Sequence, residues 1–392
     1  MDLASKIQDL SLTENDPPPQ DESGNDQNSP LSDGESVSSE KGDTIPYEVA
    51  PIPPSKPVSS VPNYCGFYEP LNPAKREIRL VLLYPNNSDW PEVTVGLMHI
   101  SLQDEKVTLY RALSYCWGST DDYIDIPLRK VIDDEVTLER RFNITRNLHA
   151  ALSALRHETQ FLPFWIDAIC INQSDNDEKT DQFSMMADIY SNALWVEIWL
   201  GEEDDTWPIL YHFIMLQDRE LRRSNPENTP GDLVTEKGLD RYVFGVVKHM
   251  PAPEELTDKG REFYRNVYIA SAHLFSRPWF RRAWVLQEAN NSRRPALVRV
   301  GKDCVYWGSV ILLSYWHANA YVYVDDWQEQ LTLVGGSKGE IPKLWWLLAY
   351  AGSERRLTIT DILFSNELFE TTDCRDSIWA LLSLANDTYQ IN

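Results

Sequence analysis

From residue 76 onward, apolar runs with strand character alternate with stretches whose apolar positions recur at helical spacing. Arg79-Leu-Val-Leu-Leu-Tyr84 and Val93-Thr-Val-Gly-Leu-Met98 read as two strands joined as a hairpin around Pro85-Asn-Asn-Ser88. A third strand, residues 110–115, ends abruptly in the polar-aromatic loop Cys116-Trp-Gly118. Leu148, Ala151, Leu152 and Leu155 then mark one face of a helix. The mostly apolar run Phe164-Trp-Ile-Asp-Ala-Ile-Cys-Ile171 predicts a strand covered on both faces. Asp175-x-x-Glu178 is a capping pattern for the helix after it, with Phe183, Met186, Tyr190 and Ala193 as its apolar stripe. Trp195-Val-Glu-Ile-Trp-Leu200 gives another strand, closed by Gly201. Strand, helix, strand, helix, strand predicts an α/β fold whose sheet is mostly parallel, flanked by helices through right-handed crossovers.

Residues 202–262 break this rhythm. They are charged and interrupted by Pro208, Pro226, Pro230, Pro251 and Pro253, and they read as helices and loops inserted outside the sheet. Ser276 is placed to cap a helix with Pro278 in its first turn, where a missing N–H does no harm. A short strand (296–300), an aromatic-rich helical region (about 306–350) and a last helix (376–384) complete the pattern. There are no internal repeats.

Composition separates one end of the chain from the rest. Residues 1–62 hold ten of the 24 prolines, and none of the 14 tryptophans of the 392-residue chain. Their twelve Asp/Glu against three Lys give a net charge of −9. Such a segment has too little apolar surface to offset its ordering entropy, so a disordered acidic tail is expected over 1–62 and a folded domain over 63–392. Subtracting −9 from the formal −24 leaves −15 for the folded part. That balance argues against nucleic acid, whose phosphates need a basic footprint.

Familiar chemistry is scarce. The five cysteines are scattered and never form C-x-x-C, so neither a zinc framework nor a disulfide scaffold fits, and the dispersed histidines suggest no metal site. No phosphate-binding glycine motif and no H-E-x-x-H occur. Cys170 with His149 or His157 would make a nucleophile–base pair only if that thiol were accessible, and its setting reads as buried. With no signal-peptide core and no apolar run near the ~20 residues of a membrane span, a cytoplasmic protein is expected. The loop after residue 115 is the better candidate, because open α/β sheets bind ligands at the carboxyl ends of their strands.

Tyr110-Arg-Ala-Leu-Ser-Tyr-Cys-Trp-Gly118 resembles the opening signature of the heterokaryon-incompatibility (HET) domain family. Trp165-Ile-Asp-Ala-Ile-Cys-Ile-Asn-Gln173 resembles its second signature, Arg277-Pro-Trp-Phe-Arg-Arg-Ala-Trp-Val-Leu-Gln-Glu288 its third, and Asp373-Cys-Arg-Asp-Ser-Ile-Trp-Ala-Leu-Leu382 its last. The blocks keep their order over residues 110–384. One departure is Trp379, where the family usually has tyrosine or phenylalanine. Another is that members commonly continue into a long C-terminal region, whereas this sequence ends ten residues beyond Leu382.

The resemblance implies an effector of fungal non-self recognition and programmed cell death. HET domains are in turn similar to TIR domains, which share a flavodoxin-like sheet and in some members cleave NAD through a glutamate four residues after a tryptophan. Trp284 and Glu288 have that spacing here. The resemblance thus implies Glu288 as the catalytic residue and NAD as substrate rather than as a bound cofactor. Ser114, Tyr115, Trp117, Gly118, Asp167 and Trp284 would bind the substrate, with no metal. Self-association and other incompatibility proteins are the partners it implies.

Bland readings stand beside these. Phe280 and Trp284 fit a core stripe, and Glu288 an ion pair with Arg281 or Arg282. Asp167 fits a buried carboxylate holding a loop or Arg375, and Asn172-Gln173 a structural turn. Arg375-Asp376 fit a salt bridge and helix cap. The alternative function is a non-catalytic interaction module of the same incompatibility system.

Overall fold

A computed structural model describes residues 68–320, apart from 105–108, 120, 133–134, 225–255, 283 and 291–293. The expected acidic tail, the last helix, the fourth signature block and Arg375 lie outside the described residues. Nine strands form one sheet: β1 (Glu77–Leu83), β2 (Val95–Ser101), β3 (Arg111–Tyr115), β4 (Tyr123–Ile132), β5 (Glu135–Thr145), β6 (Leu162–Trp165), β7 (Trp195–Trp199), β8 (Leu297–Val300) and β9 (Asp303–Tyr306). Their spatial order is β5-β4-β2-β1-β6-β3-β7-β8-β9.

The centre of the sheet is parallel. β6, β3, β7 and β8 run the same way, while β1–β2, β1–β6, β4–β5 and β8–β9 pair antiparallel. In chain order the parallel strands read second, first, third, fourth, which is the doubly wound order of flavodoxin-like sheets. β3 therefore lies between β6 and β7, and the chain leaves it for one side first and crosses to the other later. The carboxyl ends of β3 and β7 form a topological switch point.

The core is apolar along these strands for the reason parallel sheets always are: helices cover them. Leu162–Trp165 and Trp195–Trp199 are buried at every position. Helix α1 (Arg146–Leu155) buries Leu148, Ala151, Leu152 and Leu155 as their spacing predicts, and the Thr145 hydroxyl caps it. The apolar run from 164 is not one strand, however. Strand β6 stops at Trp165 and the chain turns into the single-turn helix α2 (Asp167–Cys170). A short apolar run fits a buried helical turn as well as a strand, and periodicity does not separate them.

Helices α3 (Asn176–Ser184) and α4 (Met186–Asn192) break at Met185. Met186 and Tyr190 face the core, whereas Phe183 is exposed. Asp175 caps α3 as expected by accepting from the Asp177 and Glu178 amides. Glu178 does not complete a capping box; it pairs with the fully buried Arg79 and accepts from the Asn172 amide.

Residues 207–224 and 258–275 form helices α5 (Trp207–Ser224) and α6 (Asp258–Phe275), which pack on each other outside the sheet as the broken composition predicts. Ser276 is the C-terminal cap of α6, not the N-cap expected of it. Pro278 has no N–H to continue that helix and forces Arg277 into an extended conformation (φ −61, ψ 140). A 3-10 turn (Pro278–Arg281) follows, then α7 (Val285–Asn290). Helix α8 (Trp307–Asn319) follows β9.

A charged row crosses β3, β7 and β8. Glu197 on β7 accepts from Arg111 on β3 (2.9 Å), Arg299 on β8 (2.7 Å) and the Trp195 indole (3.2 Å). These bonds hold its carboxyl below the usual carboxylate range despite burial, which alone would raise it. Truncating Glu197 to alanine leaves two arginines facing an apolar gap between adjacent strands. Glu197→Ala is expected to lower the unfolding free energy by about 3–5 kcal/mol, measured by denaturant titration.

Candidate functional site

At the switch point, Tyr115 ends β3 and the chain continues through Cys116, Trp117 and Gly118. Gly118 holds φ at +81, a left-handed conformation that side chains resist, and a Cβ there would lie 3.2 Å from that of Asn147. Asn147, at the start of α1, fixes this loop. Its amide donates to the Cys116 carbonyl (2.6 Å), and its carbonyl oxygen accepts from the Trp199 indole at the end of β7 (2.9 Å).

Beneath the loop lies a buried polar cluster. The Ser114 hydroxyl donates to Oε2 of Glu288 and accepts from the Trp279 indole (2.8 Å). Arg282 donates to both Glu288 carboxylate oxygens (3.2 Å each) and to the Tyr115 carbonyl (2.8 Å). Two segments 174 residues apart in sequence therefore meet at one point. Tyr190 of α4 adds a bond to the Leu113 carbonyl (3.3 Å), so β3 is held from several elements.

Asp167 stands at the carboxyl end of β6, beside this cluster. Its carboxylate accepts from the exposed Trp117 indole (2.9 Å) and the Ala168 amide (2.7 Å), with the Tyr115 hydroxyl nearby. The Gln173 side chain donates to the Asp167 carbonyl (3.0 Å), and Asn172 accepts from the Ser174 amide (3.2 Å), so Asn172-Gln173 shape the turn after α2.

The electrostatics follow from burial. Desolvation raises the Glu288 carboxyl above its ordinary value, opposed chiefly by Arg282 and then by the Ser114 bond. Desolvation also raises Asp167, opposed by Arg282, the Trp117 indole, the Ala168 amide and Tyr115. The Tyr115 and Tyr190 phenols are pushed well up by burial, with nearby carboxylates adding to the effect. Arg282 is held charged by Glu288 despite desolvation. One guanidinium thus answers two carboxylates, which is why neither falls to the low values of a simple ion pair.

The expected site residues divide sharply. Ser114, Tyr115 and Glu288 come together but are almost wholly buried, so they line no open wall. Trp117 is 40% exposed and its indole donates to Asp167, which is only partly buried. Trp284 is half-buried, its ring 6.3 Å from that of Phe183 on α3. Its carbonyl accepts from the Glu288 amide (3.1 Å), so the four-residue spacing is one helical turn, yet only Glu288 goes fully inward. Phe280 is not a turn earlier on that helix; it belongs to the 3-10 turn and packs in the core against Phe275 and Trp279.

Cys170 is fully buried, and burial pushes its thiol up to about 12, so it is a packing group. Among the described residues no group of three or more His, Cys, Asp or Glu is placed to hold a metal ion, and no helix is long and apolar enough to cross a membrane. Sequence reasoning gave Trp279 and Asn147 no role and saw Arg282 only as one of two partners for Glu288. The adjacent Arg281-Arg282 pair carried no signal for which one turns inward.

An α/β domain with a polar cluster locked under the switch-point loop is the class that this fold and site define. The sequence model described as heterokaryon incompatibility protein (HET) matches residues 110–288, the span that contains β3, β6, β7 and the whole cluster. Over that span the chain is similar to the HET family. It is 33% identical over 196 residues to heterokaryon incompatibility protein 6, OR allele, of Neurospora crassa. That match covers 46% of this chain and 27% of the relative, so the chain spans about a quarter of the relative's length. No solved structure matches.

The pH dependence of the cluster has a definite sign. A carboxyl whose folded value is raised stabilises the fold below its unfolded value and loses that contribution as pH rises through the folded one. Glutamine does not titrate. The stability of Glu288→Gln minus that of the wild type is therefore expected to fall, the variant losing ground to the wild type, as pH is lowered from neutral through the raised carboxyl range. Thermal melts of both proteins across that range check it, and a constant difference would contradict it.

Proposed function

We propose that this HET domain acts in heterokaryon incompatibility as a cytoplasmic effector of cell death. Its site at the end of β3 binds NAD and hydrolyses the bond between nicotinamide and ribose. The observation that carries this reading is the meeting of Ser114 and Glu288 at the switch point of a sheet in flavodoxin-like order, since open α/β sheets hold nucleotides at such points. The TIR-like glutamate spacing supports the same chemistry. In the reaction the bond from ribose C1′ to the nicotinamide nitrogen breaks and its electron pair leaves with neutral nicotinamide. A water oxygen then bonds to C1′ and releases a proton to solvent. The intermediate ribosyl centre is oxocarbenium-like, and carboxylates near it stabilise its positive charge. An exposed indole such as Trp117 offers a face to a flat, cationic base. Self-association and contact with other incompatibility proteins would switch the activity on.

A second reading is favoured by a specific observation. Glu288 is 2% exposed and its oxygens are taken by Ser114 and Arg282, which suits a structural keystone in a non-catalytic interaction module. Nicotinamide release from NAD by purified protein separates the two. Hydrolysis is expected in the wild type, with a loss of about 100-fold or more in both Glu288→Ala and the better-folded Glu288→Gln. Cell killing without loss of NAD would establish the module instead.

A further inference from the structure

Asp167 and Glu288 are both carboxylates in one electrostatic cluster, but the fold treats them differently. A carboxylate offers about four lone-pair sites. Glu288 receives three donors, one from Ser114 and two from Arg282, and what remains is enclosed by protein. Asp167 receives two, from the Trp117 indole and the Ala168 amide, and the residue is only partly buried. One of those two donors is a surface indole that sits on a loop, 40% exposed. Rotation of Trp117 would free a further acceptor site on Asp167 without disturbing the core. No comparable motion frees Glu288, whose partners are a buried serine and an arginine also bonded to the β3 backbone.

We infer that Asp167 is the carboxylate that meets the ligand, with the Trp117 indole as its movable cover and Glu288 as a positioning residue acting through Arg282 and Ser114. This rests on the reading that the end of β3 holds a nucleotide, and it assigns which part is held. An acceptor beside an aromatic face suits a ribosyl diol with its attached base: the hydroxyls donate to the carboxylate and the base lies on the indole. Burial raises the Asp167 carboxyl, and the neighbouring Arg282 opposes that rise and so favours the accepting, ionised form. Gln173 holds the Asp167 backbone through its carbonyl, and Tyr115 lies beside the carboxylate. Asp167 is then the catalytic residue in the strict sense, and Glu288 sets the geometry beneath it.

The test combines chemical labelling with binding. The full chain is treated with a water-soluble carbodiimide and glycine ethyl ester at mildly acidic pH, with and without NAD, and the labelled peptides are read by mass spectrometry. Asp167 is expected to label and Glu288 to stay unmodified. NAD at ten times its dissociation constant should slow Asp167 labelling about tenfold. In parallel, calorimetry with NAD is expected to show Asp167→Asn and Trp117→Ala binding about tenfold or more weakly, with melting temperatures near that of the wild type. For Glu288→Gln, NAD binding should be nearly kept while the turnover number falls and its pH profile shifts.

An Asp167 that resists labelling while exposed carboxyls react would overturn the inference. So would labelling that NAD leaves unchanged although calorimetry shows NAD bound, and in that case the proposed function survives. A wild type that neither binds nor cleaves NAD overturns the proposed function and this ligand assignment together.

Discussion

Glu288 and Arg282 form an ion pair whose carboxylate is almost wholly buried, and such a pair persists only where hydrogen bonds satisfy its remaining polar atoms. Ser114 supplies one of them, the Tyr115 carbonyl takes another guanidinium proton, and the Trp279 indole holds the serine in place. The consequence is geometric. Strand β3 and helix α7 cannot shift relative to each other without stranding a charge in the core. Everything at the switch point, including the loop that carries Trp117, is referenced to that junction.

The same logic recurs across the sheet. Glu197 ties β3, β7 and β8 through two arginines, and Glu178 ties α3 to the fully buried Arg79 of β1. Buried charges of this kind add little net stability compared with well-packed apolar groups, but each one fixes a single register. The central strands β3, β6, β7 and β8 are only four or five residues long, so few backbone pairs set their register, and the Glu197 ion pairs across β3, β7 and β8 add to it. Around the site two carboxylates share one guanidinium, and burial raises both while Arg282 opposes the rise.

Much of this was legible in the sequence, and the exceptions have physical causes. The strands β1, β3 and β7 and helix α1 announced themselves because burial on one or both faces writes a simple apolar pattern. The hairpin β4–β5 did not: Asp125, Arg129, Arg140 and Arg141 interrupt its apolar positions, so alternation is masked by long charged side chains. The turn at Asp167 was hidden inside an apolar run that fits a strand equally well, and that error concealed how the carboxylate reaches the end of β6. Ser114 and Glu288 were singled out from motif resemblance. The resemblance put them in one site, on opposite walls of a cleft; that they bond each other directly in the core was not legible, because a bond across 174 residues leaves no local trace. Nor does sequence tell an exposed wall from a buried keystone, which is why Ser114 and Glu288 read as substrate-facing.

Strand β3 and helix α7 are joined energetically through Ser114 and Glu288. A double-mutant cycle of Ser114→Ala and Glu288→Gln, followed by urea unfolding, measures that coupling directly. An interaction free energy of about 1–3 kcal/mol is expected; additive losses, with a coupling near zero, would show that the two elements are not joined there.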